Sequence, residues 1–185
     1  MTMANLCITH IVIEGELATL TRINDAVKEH PGWIGTILNT LGIECSEQDP
    51  TSAGFINEEG EIAPSADGKK HCLKLHSEDK WTMSCFMSRI SQKFDVNIYF
   101  SAECPDDGWW VSNDKKGLYF PERYLIDWGL YSSKKNEDEN MAYFNDRQKM
   151  LDFIKEKFGC EKPRELVQKE IAAYSACKII KGFTY

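Results

Sequence analysis

Apolar and polar positions change their spacing several times along the chain, and each change marks an element. Leu6, Ile8 and Val12 interleave with Cys7, Ile11 and Ile13, so both faces of the first strand are apolar, as in a central strand covered on both sides. From Glu16 to Glu29 the spacing lengthens: Leu17, Leu20, Ile23 and Val27 recur at helical intervals, and His30-Pro31-Gly32 ends the run. Proline lacks an N–H and disfavours helix before it. A shorter helix, Trp33 to Leu41, is expected to stop on Gly42 as a left-handed cap. Residues 44–70 string turn formers around the apolar island Phe55-Ile56, the pattern of a long excursion or lid. His71 to His76 then alternates, with Leu73 and Leu75 on one face and Cys72 and Lys74 on the other. Thr82 can cap the next helix, whose Met83, Phe86, Met87, Ile90 and Phe94 form one stripe.

The strongest strand signal follows, where Val96, Ile98, Phe100 and Ala102 alternate with Asn97, Tyr99, Ser101 and Glu103. Pro105-Asp106-Asp107-Gly108 makes a turn, Trp109 to Ser112 returns, and Asn113 to Gly117 turns again. Leu118 to Trp128 supplies a further strand, interrupted at Pro121 as on an edge or at a bulge. Turns this short imply an antiparallel meander. The polar stretch Ser132 to Asn140 leads into a helical tail. Asn145 and Gln148 stand three apart like a capping box ahead of Met150, Leu151, Phe153, Ile154 and Phe158, and Gly159 ends that helix. Pro163 starts another, with Leu166, Val167, Ile171 and Tyr174 as its buried stripe. The expected fold is α+β: an antiparallel sheet of four or five strands packed by helices at 16–30 and 83–94. That domain is read over residues 1–131, and a helical C-terminal extension over 141–185 packs on it.

Composition narrows the picture. A length of 185 residues favours one domain, and 42% hydrophobic residues can supply its core. No apolar run approaches the ~18 residues that span a bilayer, so no membrane role is expected. With 22 Lys and Arg against 29 Asp and Glu the net charge is −7, which weighs against nucleic acid as a partner. Lys69-Lys70, Lys115-Lys116 and Lys134-Lys135 are too small a footprint to reverse that. The first residues lack the basic, apolar and small-residue regions of a secretory signal, so a cytoplasmic location is expected. Seven scattered cysteines without C-x-x-C read as reduced thiols.

Several stretches resemble a known family. Met3-Ala4-Asn5-Leu6-Cys7 followed by Ile11-Val12-Ile13-Glu14-Gly15 is similar to the opening of the YubB-like proteins, a bacterial, plasmid- and phage-associated group. Further matches are Trp33 to Gly42, the Trp81 ahead of a helix, Tyr99-Phe100-Ser101-Ala102-Glu103, and Asn113-Asp114 leading to Tyr119-Phe120-Pro121-Glu122-Arg123-Tyr124. The resemblance covers most of residues 3–128. It implies a ferredoxin-like fold and transfers neither a catalytic residue nor a cofactor.

Candidate chemistry is sparse. His71, Cys72 and His76 cannot hold one ion, because Cys72 and His76 lie about 13 Å apart along a strand and His71 faces away. Zinc would need ligands from elsewhere, such as Cys7 or His10. The carboxylates Glu103, Asp106, Asp107, Asp114, Glu122 and Asp127 could gather at one end of the sheet and bind a hard cation, although turn chemistry accounts for most of them. Cys104 is the thiol most open to reaction, yet its neighbours Glu103, Asp106 and Asp107 oppose thiolate formation. Aromatic residues crowd the sheet, and Tyr99, Trp109, Trp110 and Tyr119 are the candidate binding residues if its second face is open. Lys116-Gly117-Leu118-Tyr119-Phe120 faintly echoes the motif of single-strand RNA readers, but fails at Leu118 and Tyr119. The expectation is a non-enzymatic interaction module without a cofactor, contacting a protein partner through the aromatic face or the 44–70 excursion. The alternative is a metal-assisted hydrolase using Glu103 with Asp106 or Asp114.

Overall fold

The alternation at the start of the chain becomes β1 (Cys7–Gly15) in a computed structural model that describes residues 7–46, 54–56, 58–79, 84–104, 109–127, 141–162, 166 and 172–175. The chain divides into two compact units, Met1–Asp107 and Gly108–Tyr185. This boundary falls ahead of the residue 131 at which the sequence pattern ends the first domain.

In the first unit β1 is followed by α1 (Leu17–Glu29), β2 (Gly32–Trp33) and α2 (Ile34–Thr40). Then come β3 (Phe55–Ile56), β4 (Glu61–Pro64), β5 (His71–Asp79), α3 (Ser84–Phe94) and β6 (Asn97–Cys104). β1 lies between β5 and β6 and is antiparallel to both, with Ile11 opposite Leu75 and Phe100, and Ile13 opposite Leu73 and Ile98. β3 and β4 both pair antiparallel with β5, and β2 pairs with β3. The order excursion–β5–β1–β6, with α1 and α3 as the crossing helices, is the ferredoxin-like arrangement. Within the 44–70 excursion, β3 and β4 therefore widen the sheet, while residues 47–53 and 57 lie outside the described residues.

One face of this sheet carries the core. Ile11, Ile13, Leu73 and Leu75 meet Leu20, Ile23, Ala26 and Val27 of α1, with Phe86, Met87 and Ile90 of α3. Burying each such large side chain contributes about 1.5–3 kcal/mol. Leu17, read as part of the α1 stripe, is instead 48% exposed, and Ala26 faces the core a turn from the helix end. Gly42 has φ +76°, the left-handed backbone that glycine permits after α2. Thr82 and Met83 lie outside the described residues, as does Asp106.

The second unit departs further from expectation. β7 (Trp109–Ser112) is followed by β8 (Tyr124–Asp127), β9 (Met141–Phe144), α4 (Arg147–Phe158) and β10 (Ala172–Ser175). β8 does not continue a meander; it pairs with β9 and β10 in a separate three-stranded sheet, with Ala173 opposite Ile126 and Ala142 opposite Ile126. Tyr174, assigned by its spacing to a second tail helix, is in β10. The extension does contain a helix, α4, capped one residue later than expected: Asp146 accepts from the N–H groups of Gln148 and Lys149 at 2.8 and 3.0 Å. Ile126, Met150, Ile154, Cys160 and Leu166 form this unit's core.

The cysteines also depart from the reduced reading. Cys7 is disulfide-bonded, whereas Cys45, Cys72 and Cys160 are free thiols. The register that sets Ile8 opposite Glu103 brings the neighbouring cysteines, Cys7 and Cys104, to the same end of the strand pair, a juxtaposition that linear spacing does not display. Cysteine usage therefore no longer argues for a reducing compartment. No helix among the described residues is long and apolar enough to cross a membrane.

A polar clamp holds the excursion to α1. The Asn24 side chain accepts from the Gly60 N–H at 2.7 Å and donates to the Gly60 carbonyl at 3.0 Å. A Cβ at Gly60 would overlap the carbonyl oxygen of Lys74 and press on Leu73. Gly60→Ala should therefore destabilise the protein by about 1–3 kcal/mol, read as a lower denaturation midpoint at unchanged slope. The opposite sign is expected at Thr9, whose buried hydroxyl, opposite Ser77, has no hydrogen-bond partner among the described residues. Thr9→Val should be neutral or stabilising by up to about 1 kcal/mol in the same measurement.

Candidate functional site

Strict alternation along β1, β5 and β6 puts one set of side chains on the helices and sends the other to the second face. Reading across that second face, His76, His10 and Ser101 form one row. Glu78, Ile8 and Glu103 form the next row, and Lys74, Val12 and Tyr99 the row beyond. The centre of the face is buried at Val12 and Cys72, while His10, His76 and Lys74 are exposed. Lys74 meets Glu61 of β4 at 3.6 Å.

His10 and His76 are direct cross-strand partners. Their Nδ1 atoms stand 3.4 Å apart, and the ring centroids are 4.9 Å apart with the planes tilted by 52°. Although His10 is exposed at the surface, partial desolvation of its ring against the sheet, and then repulsion from His76, hold the imidazole below its ordinary pKa, against the attraction of Glu103. The sequence pattern excludes His71, Cys72 and His76 as ligands of one ion and names His10 only as a donor from elsewhere. The fold pairs His76 with His10, sixty-six residues away.

The four aromatic candidates are distributed between the two units. Tyr99 is half-buried on the second face of the first unit's sheet, beside Val12. In the second unit Trp110 is only 3% exposed and packs with Leu125 and Met141, its ring edge-on to Tyr143 at a centroid distance of 6.0 Å. Trp110 is thus a core residue and not part of an open platform. Tyr119 lies in the loop before β8, half-buried. For Trp109 the described structure extends to its place in β7.

That loop is organised by Asp114. The residue is 1% exposed, and its Oδ2 accepts from the N–H groups of Tyr119 and Phe120 at 2.7 and 3.0 Å. Arg123 closes the loop from the other side, donating to the carbonyls of Asp114, Phe120 and Glu122 at 2.6, 2.8 and 2.8 Å. Lys116-Gly117-Leu118-Tyr119-Phe120 is therefore a clasped loop and not the strand an RNA-reading motif requires. Only Oδ2 of Asp114 is committed to these backbone donors; Oδ1 is buried and has no hydrogen-bond partner among the described residues.

Sequence reasoning missed a more prominent surface feature. Trp33 of β2 and Phe55 of β3 are direct cross-strand partners and are 40% and 44% exposed. Their rings meet edge to face at a centroid distance of 5.5 Å. Beside them a cavity of about 420 Å³ is lined by Trp33, Gly35, Thr36, Asn39, Cys45 and Ser46. Asn39 shapes its rim, donating to the Cys45 carbonyl at 3.0 Å and accepting from the Cys45 N–H at 2.9 Å. The available signal was the island Phe55-Ile56 inside a polar stretch, in which Ile56 is buried and Phe55 is left outside.

Comparison with known protein families, curated proteins and solved structures finds no match.

Burial alone would raise the Asp114 pKa, but the N–H groups of Phe120, Tyr119, Leu118 and Gly117 outweigh it and the carboxyl sits below its ordinary value. A lowered folded-state pKa stabilises the protein above the unfolded value, and the effect is lost as pH falls through the folded one. Asp114→Ala should cost about 2–3 kcal/mol at neutral pH. Denaturation midpoints of wild type and variant should converge as pH drops below the ordinary carboxylate range.

Proposed function

We propose that the chain is a non-enzymatic interaction module whose protein partner docks on the edge formed by Trp33 and Phe55. The observation that carries this reading is the exposed aromatic pair itself. Two large rings meet edge to face at the margin of a sheet, on its last two strands, beside a concave surface. Leaving such rings in water forfeits the burial energy that the rest of the sheet gains, and aromatic anchors next to pockets are the usual energetic centre of protein contacts. The excursion was expected to meet a partner, and Phe55 is its outward residue. The resemblance to the YubB-like proteins belongs to the same proposal, since the ferredoxin-like order is what that resemblance implies.

The test is capture from native lysate by the immobilised chain, comparing wild type with Trp33→Ala and with Leu118→Ala, a change at another exposed apolar residue. The reading expects a protein retained by wild type and by Leu118→Ala, with binding to Trp33→Ala at least about tenfold weaker. Thermal melting should place all three chains within a few degrees of one another. An identical set of proteins on all three surfaces, or none on wild type, counts against it.

A further inference from the structure

We propose that His10 and His76 form a two-imidazole site for a divalent transition-metal ion, with zinc as the ion to which their spacing is best suited. This site lies away from the aromatic edge, on the second face of the sheet, and stands independently of the partner reading. The argument starts from distance. A tetrahedral zinc ion with bonds of about 2.0–2.1 Å to nitrogen spaces its ligand atoms about 3.3–3.4 Å apart. The two Nδ1 atoms are 3.4 Å apart, so the backbone already provides the span that two ligands of one ion require. Ligation would require both rings to turn about their side-chain bonds so that the two Nδ1 lone pairs face one ion.

Rigidity supports the assignment. Each histidine sits in the interior of a nine-residue strand, and the strands are paired along their whole length. The site is thus carried by regular backbone and its span does not depend on loop conformation. Accessibility supports it as well, because both side chains are exposed.

The local charge has the right sign. Glu78 and Glu103 occupy the adjacent row on the same face, and Glu103 already acts on His10 electrostatically. Cross-strand diagonal neighbours of this kind come within reach of long side chains. Lys74, in the row beyond, is paired with Glu61.

Metal binding requires neutral imidazoles with the proton on Nε2. Among the described residues no group of three or more His, Cys, Asp or Glu side chains is already arranged around one point. The two histidines therefore supply half of a tetrahedral shell and leave the remaining positions to water, to a rotated Glu78 or Glu103, or to a donor brought by another molecule.

The experiment is isothermal titration of the full chain with zinc chloride, repeated on His76→Gln, His10→Gln and His71→Gln. His71 shares β5 with His76 but stands at an odd position, on the opposite face. The expected result is one ion per chain for wild type and for His71→Gln, with affinity reduced at least about tenfold in each of the other two variants. Nitrogen NMR of the imidazoles should show the zinc-induced shift at Nδ1 of His10 and His76. Thermal melting without metal shows whether the glutamine variants fold as wild type does; for a variant that does not, the wild-type Nδ1 shifts decide. Wild type that takes up no zinc, or a folded His76→Gln chain that binds it as wild type does, overturns the proposal.

Discussion

The register of β1 between two antiparallel neighbours is the constraint on which the first unit depends. Its side chains alternate with a strict period of two, so the pairing of Ile11 with Leu75 and Phe100 decides every other position at once. Odd-numbered positions of β1 meet the helices and build the core. Even-numbered positions form the second face, where His10 meets His76. A slip of one residue would place His10 among Leu73, Leu75 and Phe100 and turn Ile11 outward, losing several large apolar side chains from the core at about 1.5–3 kcal/mol each. The histidine pair is thus held in place by the burial of residues on the opposite side of the sheet.

Much of this was legible in the sequence, and the reason is local. Periods of two and of about 3.6 report which side of an element is buried, and they located β1, α1, β5, α3 and β6 correctly. Glycines reported the helix ends, as at Gly42 and at Gly159, which has φ +65° and caps α4. What periodicity cannot report is the partner across a ladder. Cys7 and its disulfide, His10 and His76, and Trp33 and Phe55 are pairings between distant segments that arise from register alone. Tyr174 shows a second limit, because apolar residues in a short tail segment match a helix or a strand equally well, and pairing with β8 decided for strand.

The aromatic candidates show how residue type and location separate. Trp110 was a candidate on the condition that the sheet's second face is open, and that condition fails at this residue, which Leu125 and Met141 cover. Tyr119 was read as a strand residue, while the Asp114 carboxylate gathers the N–H groups around it into a loop. One buried acceptor can outweigh strand propensity here because several backbone donors, which would otherwise need a ladder, are satisfied at a single point.

The exposed pair Trp33–Phe55 depends in turn on contacts that are not aromatic. Phe55 belongs to a stretch rich in turn formers, and contacts on either side of it hold its position. At one end Ile34 donates to the Gly54 carbonyl at 3.0 Å and Ile56 is fully buried. At the other, Asn24 of α1 holds Gly60 through both of its backbone polar groups. Two hydrogen bonds to one glycine remove most of the rotational freedom of the chain that follows Phe55, and the close approach of that glycine to the Lys74 carbonyl leaves no room for a side chain that would loosen it. A polar clamp on the helix side of the sheet thereby sets the geometry of an apolar surface at its edge, and a change at Asn24 is expected to disturb the aromatic pair without touching either ring.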